Sequence, residues 1–227
     1  MRPAALAALA ALAVLPAAAR AESPRLGSFE VGVGSYRPDI DSGLAAPFPY
    51  QRIFGKGQGY LFRVGVSRTL FDRAGSLDLG VRSGFFHESG KALLQTTGLP
   101  SGDPTTFNVV PTSLTLTYRF DPFAQTVPLV PYGRVALERY NWWITGPDGS
   151  WSKHGATNGW SMTGGVAVLL DWFDSQLARE LDSETGINHT YLFFDVTKSS
   201  VDDFGAKKSW DLTETKLQLA GGLMFVF

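Results

Sequence analysis

The 227-residue chain contains no cysteine. It therefore has neither a disulfide framework nor a lipidated N-terminal cysteine. Beyond its first 21 residues no apolar run approaches 18 residues, which excludes a helical membrane span. Charge of one sign is also missing: 20 basic side chains face 21 acidic ones, for a formal net charge of −1. That balance points to no nucleic-acid partner. A Gly-rich phosphate loop, a Ser-His-Asp order and a Cys/His cluster are all lacking. No catalytic residue, cofactor or metal site is expected, and the chain is expected not to be an enzyme.

What is present begins with MRPAALAALAALAVLPAAARA, residues 1–21. Arg2, an apolar run from Ala4 to Leu15 and small residues ending in Ala19-Arg20-Ala21 make up a secretory signal peptide, with Glu22 expected to open the mature chain. Without Arg2 and Arg20, 18 basic residues stand against 21 acidic ones. The mature part, 22–227, reads as one domain.

The tail LQLAGGLMFVF supplies the fold signal. With period two, Thr215, Leu217, Leu219, Gly221, Leu223, Phe225 and Phe227 share one face, and Glu214, Lys216, Gln218, Ala220, Gly222, Met224 and Val226 share the other. A fraying strand end would not bury such residues in water; lipid is the solvent that suits them. Seven more stretches behave alike. Phe29, Val31 and Val33 oppose Glu30, Gly32 and Gly34; Tyr60, Phe62, Val64 and Val66 oppose Leu61, Arg63 and Gly65; Leu77, Leu79, Val81 and Phe85 oppose Asp78, Gly80, Arg82 and Gly84. Leu114, Leu116, Tyr118 and Phe120 stand against Ser113, Thr115, Thr117 and Arg119, and Val135 and Leu137 against Arg134, Ala136 and Glu138. Val166, Val168 and Leu170 face away from Thr163, Gly165 and Ala167, as Leu192, Phe194 and Val196 do from Tyr191, Phe193, Asp195 and Thr197.

The fold class expected is all-β: an eight-stranded antiparallel up-and-down transmembrane β-barrel, closed so that no edge meets hydrocarbon. A soluble sandwich would instead turn these apolar faces inward. Connections 37–57, 87–105, 145–159 and 199–212 are long and polar, whereas 69–75 and 121–128 are short. Long outside and short inside is the outer-membrane pattern. DSQLARELDSETG predicts a short periplasmic helix, capped by Asp174 or Ser175 and stopped at Gly186. Trp142, Trp143 and Trp160 are expected in an outer aromatic girdle and Phe71, Phe120, Phe123 and Trp172 in an inner one.

The inward charges are Glu30, Asp78, Glu138, Asp195 and Glu214 against Arg63, Arg82, Arg119, Arg134 and Lys216. An eight-stranded bore has room only for its own side chains, so these groups are expected to pair and seal it. Inward glycines make room for bulky neighbours.

SYRPDIDSG (35–43), FNVVP (107–111), YRFDP (118–122), VPYGR (130–134), LLDWFD (169–174), LDSETGINHTYLFF (181–194) and the terminal LMFVF resemble a family of small outer-membrane β-barrels known mainly from myxobacteria. Leu223, Phe225 and Phe227 are also similar to the signal read by the barrel-assembly machinery. The resemblance implies location and architecture, with no assigned activity.

Three features carry alternative chemistry. Phe85-x-His87-x-Ser89 resembles the catalytic stretch of outer-membrane lipid A deacylases, where a histidine would activate a serine; the only nearby acid, Glu88, points the other way. Asp39 and Asp41 could offer oxygens to calcium, but read better as turn contacts. His189 and His154 read as ordinary hydrogen-bonding residues. The expectation is therefore a monomeric outer-membrane barrel with a structural or surface-interaction role. Its partners are outer-membrane lipid, lipopolysaccharide and the assembly machinery, with an unknown extracellular ligand at the loops. A lipid A-modifying esterase using His87 and Ser89, and a narrow small-solute channel, are the alternatives.

Overall fold

The computed structural model describes residues 24–42, 44–46, 48–94, 98–149, 152–206 and 209–227. The leader 1–21 lies outside them, as do Gly43 at the end of the 35–43 motif and Trp151 in the third long connection. Eight antiparallel strands follow in chain order: β1 Gly27–Tyr36, β2 Gly59–Phe71, β3 Ser76–Leu93, β4 Pro100–Arg119, β5 Leu129–Thr145, β6 Ser152–Leu169, β7 His189–Ser200 and β8 Gln218–Val226. Each pairs with the next and β8 pairs with β1, so the sheet closes. Two α-helices among the described residues interrupt the connections, α1 Pro49–Phe54 and α2 Ser175–Thr185.

The stagger follows from the register. From Val31 the ladder runs through Val64, Ser83 and Thr112 to Arg139. In the other direction it runs through Leu223, Leu192 and Val168 to Leu129. The two end points lie on the same strand, at positions 139 and 129. Ten residues of stagger over eight strands tilt the strands by about 40° and give a backbone radius of roughly 8 Å.

Alternation decides which way each residue faces. Phe29, Val31, Val33, Tyr60, Phe62, Val64, Val66, Leu79, Val81, Leu114, Leu116, Val135, Leu137, Phe194 and Leu219 are exposed on the outside. Their neighbours Glu30, Arg63, Asp78, Arg82, Thr115, Arg119, Arg134, Glu138 and Asp195 are buried inside. Outward positions are apolar in every strand of the band; inward ones are polar through the middle of β1 to β7, while β8 has Gln218 alone as an inward polar side chain beside Ala220, Gly222, Met224 and Val226. With that tilt, Tyr60, Phe85 and Trp160 come to within roughly 3 Å of one level, and Leu70, Phe120 and Phe227 lie roughly 24 Å below them. This is the height of an outer-membrane apolar band.

The connections differ from expectation at the long-loop end. Residues 87–105 and 145–159 are mostly strand, because β3 and β4 pair out to Leu93↔Pro100, and β5 and β6 out to Thr145↔Ser152. Those hairpins stand above the other strands. The fourth long connection is 201–217, and β8 begins at Gln218 rather than before Lys216. At the short-loop end, α2 is capped by the Asp174 carboxylate, which accepts from the Gln176 and Leu177 amides; Gly186 ends it with φ 75°.

Candidate functional site

The lumen holds three layers. Nearest the short loops, Val130, Tyr132, Ala167, Leu169, Tyr191, Phe193, Met224 and Val226 form an apolar floor. Above it lies the charged layer. Glu30 binds Arg82 Nε at 2.5 Å through Oε1 and Arg134 at 2.6 Å through Oε2, and Arg134 Nε also donates to Thr117 Oγ1 at 2.9 Å. Arg119 binds Asp78 at 3.0 Å, and Thr69 donates to the same carboxylate at 2.8 Å. The other lumen charges meet hydroxyls: Arg63 donates to Tyr140 Oη at 2.9 Å, Tyr132 to Asp195 at 2.8 Å and Ser161 to Glu138 at 2.7 Å. The void among Glu30, Asp78, Arg82, Arg119 and Arg134 measures about 10 Å³, the room of one water molecule.

Two of the ten expected network members lie elsewhere. Lys216 is exposed, because the chain has left the sheet before Gln218. Glu214 is buried at the long-loop mouth, where its carboxylate accepts from the Arg37 amide at 2.7 Å and its residue bridges Pro38. Burial raises its carboxyl above the ordinary range. The eight members left inside are Glu30, Asp78, Glu138 and Asp195 with Arg63, Arg82, Arg119 and Arg134. They remain balanced.

The third layer was not anticipated. Tyr36, Tyr50, Leu61, Phe86, Phe107, Val109, Tyr140, Val201 and Leu212 form a buried apolar cap across the long-loop end, with Trp142 and Trp210 packed on it. Trp142 points inward and stacks on Trp210 at 4.0 Å and 5°, so it belongs to the cap and not to a girdle. Helix α1 is drawn over the cap by several bonds. Asp41 accepts from the Tyr50 and Gln51 amides at 2.8 and 2.9 Å, the Tyr50 hydroxyl binds Glu88, and Arg52 binds the Gly98 carbonyl. Tyr36 Oη donates to the Leu212 carbonyl at 2.8 Å and ties the fourth long connection to β1.

The remaining candidates fall into ordinary roles. His87 and Ser89 are exposed on the outer face, and His87 Nδ1 meets Asn108 Oδ1 at 2.7 Å. Glu88 lies on the opposite face with Tyr50 and does not orient the histidine. The Asp39 amide donates to the Thr213 carbonyl, joining two long connections. Burial and the neighbouring Asp211 raise the Asp39 carboxyl. At the short-loop end His189 Nδ1 meets Asp171 at 2.7 Å and its Nε2 meets Arg25 at 2.8 Å, and Arg25 reaches Asp121 at 3.4 Å. Phe227 fastens the seam: its carbonyl accepts from the Leu26 and Gly27 amides at 2.6 and 2.8 Å, and its amide donates to the Gly27 carbonyl at 3.0 Å.

No family model matches the chain, and no curated protein matches it in sequence. Among solved structures it is similar to the crystal structure of Neisserial surface protein A, at 12% identity over 88% of this chain and 96% of that one, with a TM-score of 0.50. The outer membrane protein OprG from Pseudomonas aeruginosa aligns at 13% identity over 89% of this chain and 97% of that one, with a TM-score of 0.49. The N-terminal β-barrel domain of Pseudomonas aeruginosa OprF aligns at 13% identity, covering 90% of this chain and the whole of that one, with a TM-score of 0.46. The likeness to the Neisserial protein is one of fold: a closed barrel of antiparallel strands.

Proposed function

We propose that the chain is an exported, monomeric outer-membrane barrel that conducts nothing through its lumen and works through its outer surface, in a structural or surface-interaction role. The observation that carries this reading is the division of side chains. An apolar belt is exposed all round the outside, while the lumen is filled by an apolar floor, a paired charge layer and an aromatic cap. In water such a belt would be an aggregation liability; in lipid it is the favourable face. The end with the short turns faces the periplasm, and the end with α1 and the tall hairpins faces outward. Leu223, Phe225 and Phe227 supply the strand that the barrel-assembly machinery reads, and lipopolysaccharide surrounds the upper rim.

His87 and Ser89 are given no catalytic step, since both stand on the exposed outer face and no acid among the described residues orients the histidine. The test is to express the full chain in a Gram-negative host and fractionate the envelope. Recovery in the outer membrane as a band whose gel mobility changes on heating is the expected result. A soluble periplasmic product overturns the reading.

A further inference from the structure

Along the strands, among the described residues, every formally charged side chain turned outward by the two-residue alternation is basic: Arg68, Lys91, Arg139 and Lys198. Of the strand acids, Glu30, Asp78, Glu138 and Asp195 are buried in the lumen and Glu88 lies on the inward face with Tyr50, while Asp103 is exposed in the β3–β4 hairpin above the band. Local pairing does not explain this asymmetry. Arg139 and Lys198 are exposed and have no carboxylate in ion-pair range among the described residues.

Two of the four meet at one place. Arg139 on β5 is the register partner of Asn158 on β6, and Lys198 on β7 is the partner of Met162. Trp160 lies between them on β6, 38% exposed on the outer face. Two strands across and four residues along places the Arg139 and Lys198 Cα atoms roughly 16 Å apart, one on each side of the indole and within the combined span of two long side chains. With the barrel's tilt, Arg139 stands at the level of the upper aromatic rim and Lys198 roughly 4 Å below it, within snorkelling reach.

The surroundings are held firmly. Arg139 donates to Asn158 Oδ1 at 3.0 Å, and Asn158 Nδ2 donates to Asp203 Oδ1 at 2.8 Å. The Asp203 amide returns a bond to the Asn158 carbonyl at 2.8 Å. Asp203 and Phe204 sit at φ 56° and 57°, a left-handed conformation uncommon for side-chain-bearing residues, and Phe204 is 68% exposed. One network thus fixes the arginine and a strained turn that presents an aromatic ring beside the same rim.

We propose that Arg139, Lys198, Trp160 and Phe204 form a docking surface for a phosphorylated glycolipid of the outer leaflet. The cations would take the phosphate, Arg139 through the guanidinium donors that Asn158 leaves free. The indole between them offers a flat apolar face to the sugar ring. The proposal rests on the barrel lying in the outer membrane. It adds a specific lipid and a specific side of the barrel.

The test uses the folded full-length mature protein in detergent and in phosphatidylcholine vesicles, with native mass spectrometry reading the lipid retained. Probes are bisphosphorylated lipid A, dephosphorylated lipid A and phosphatidylglycerol. The wild type should retain the bisphosphorylated form at least about tenfold better than either other lipid. The double variant R139Q/K198Q should lose that preference, while R68Q, at the opposite rim, should keep it. Equal retention of dephosphorylated lipid A or of phosphatidylglycerol, or an unchanged preference in the double variant, overturns the glycolipid site. Heat-modifiable mobility in the vesicles reads membrane insertion separately. A wild type that inserts without the preference sinks this inference alone, and one that does not insert sinks the membrane reading with it.

Discussion

Glu30 on β1 and Arg82 on β3 form an ion pair at 2.5 Å across the intervening strand, over the space left by Gly65 on β2. A Cβ on Gly65 would come within 2.7 Å of Arg82 Cγ and 3.0 Å of Glu30 Cγ. The glycine is therefore part of the charge layer: by having no side chain it lets strands one and three meet inside the bore.

Truncating the charge layer should cost stability without opening a channel. Arg119→Ala leaves Asp78 buried with only the Thr69 hydroxyl, so the loss should be about 3–5 kcal/mol. Arg82→Ala should cost less, since Glu30 keeps Arg134. Urea or guanidinium unfolding midpoints in detergent should rank wild type above Arg82→Ala, and that above Arg119→Ala. The reverse order would remove the pairing account.

Assembly should depend on Phe227. Its backbone bonds to Leu26 and Gly27 fasten the β1–β8 seam, and its ring ends the outward row. Deleting it, or Phe227→Lys, should leave export intact and lower the heat-modifiable form in the outer membrane. Normal abundance and mobility would dismiss the role.

Orientation can be read by labelling. Cysteines placed at Gly98, Gly149 or Gly205, all in long connections, should react with an impermeant reagent on intact cells. Those at Ala74, Gln125 or Ser183 should react only after lysis. Labelling of the second group on intact cells would invert or abolish the barrel.

The cap should strengthen as the medium acidifies. The folded carboxyl of Glu214 has its pKa raised by burial, so the folded state carries a penalty for losing the proton that is full above the folded value, shrinks as pH falls below it and is gone below the unfolded value. Glu214→Gln should therefore slow amide exchange at Leu212 and Thr215 relative to wild type at pH 8, after correction for intrinsic rates, and change little near pH 4. An equal effect at both pH values would show that titration of Glu214 is not involved.

Much of the barrel was legible because each strand in the band is apolar outside and polar inside, a contrast that period two detects directly. The contrast fades above the rim. Ser89 and Thr105, or Ser152 and Lys153, lie in hairpins that stand outside the apolar band, so they read as loop although they are strand. Lys216 went wrong for the opposite reason: the alternation continues through Thr215 and Leu217, but β1 ends at Tyr36 and offers no partner there. Residue type alone points Trp142 to a girdle, whereas its parity with Glu138 and Tyr140 places it inside. The cap has a similar signal, since inward positions become aromatic toward the long-loop end of β1, β3, β4 and β5, at Tyr36, Phe86, Phe107 and Tyr140. The outward cations carried the same parity information once the strands were in register.

The sealed bore is tested most directly by conductance per inserted molecule. Wild-type barrel is reconstituted into planar bilayers, with insertion confirmed by heat-modifiability in vesicles from the same preparation. An eight-stranded bore filled by eight balanced charges and closed at both ends by apolar layers should give no steady current steps at any applied voltage the bilayer withstands. Stable, reproducible unit conductance from the purified monomer would contradict the sealed lumen and establish a channel in its place.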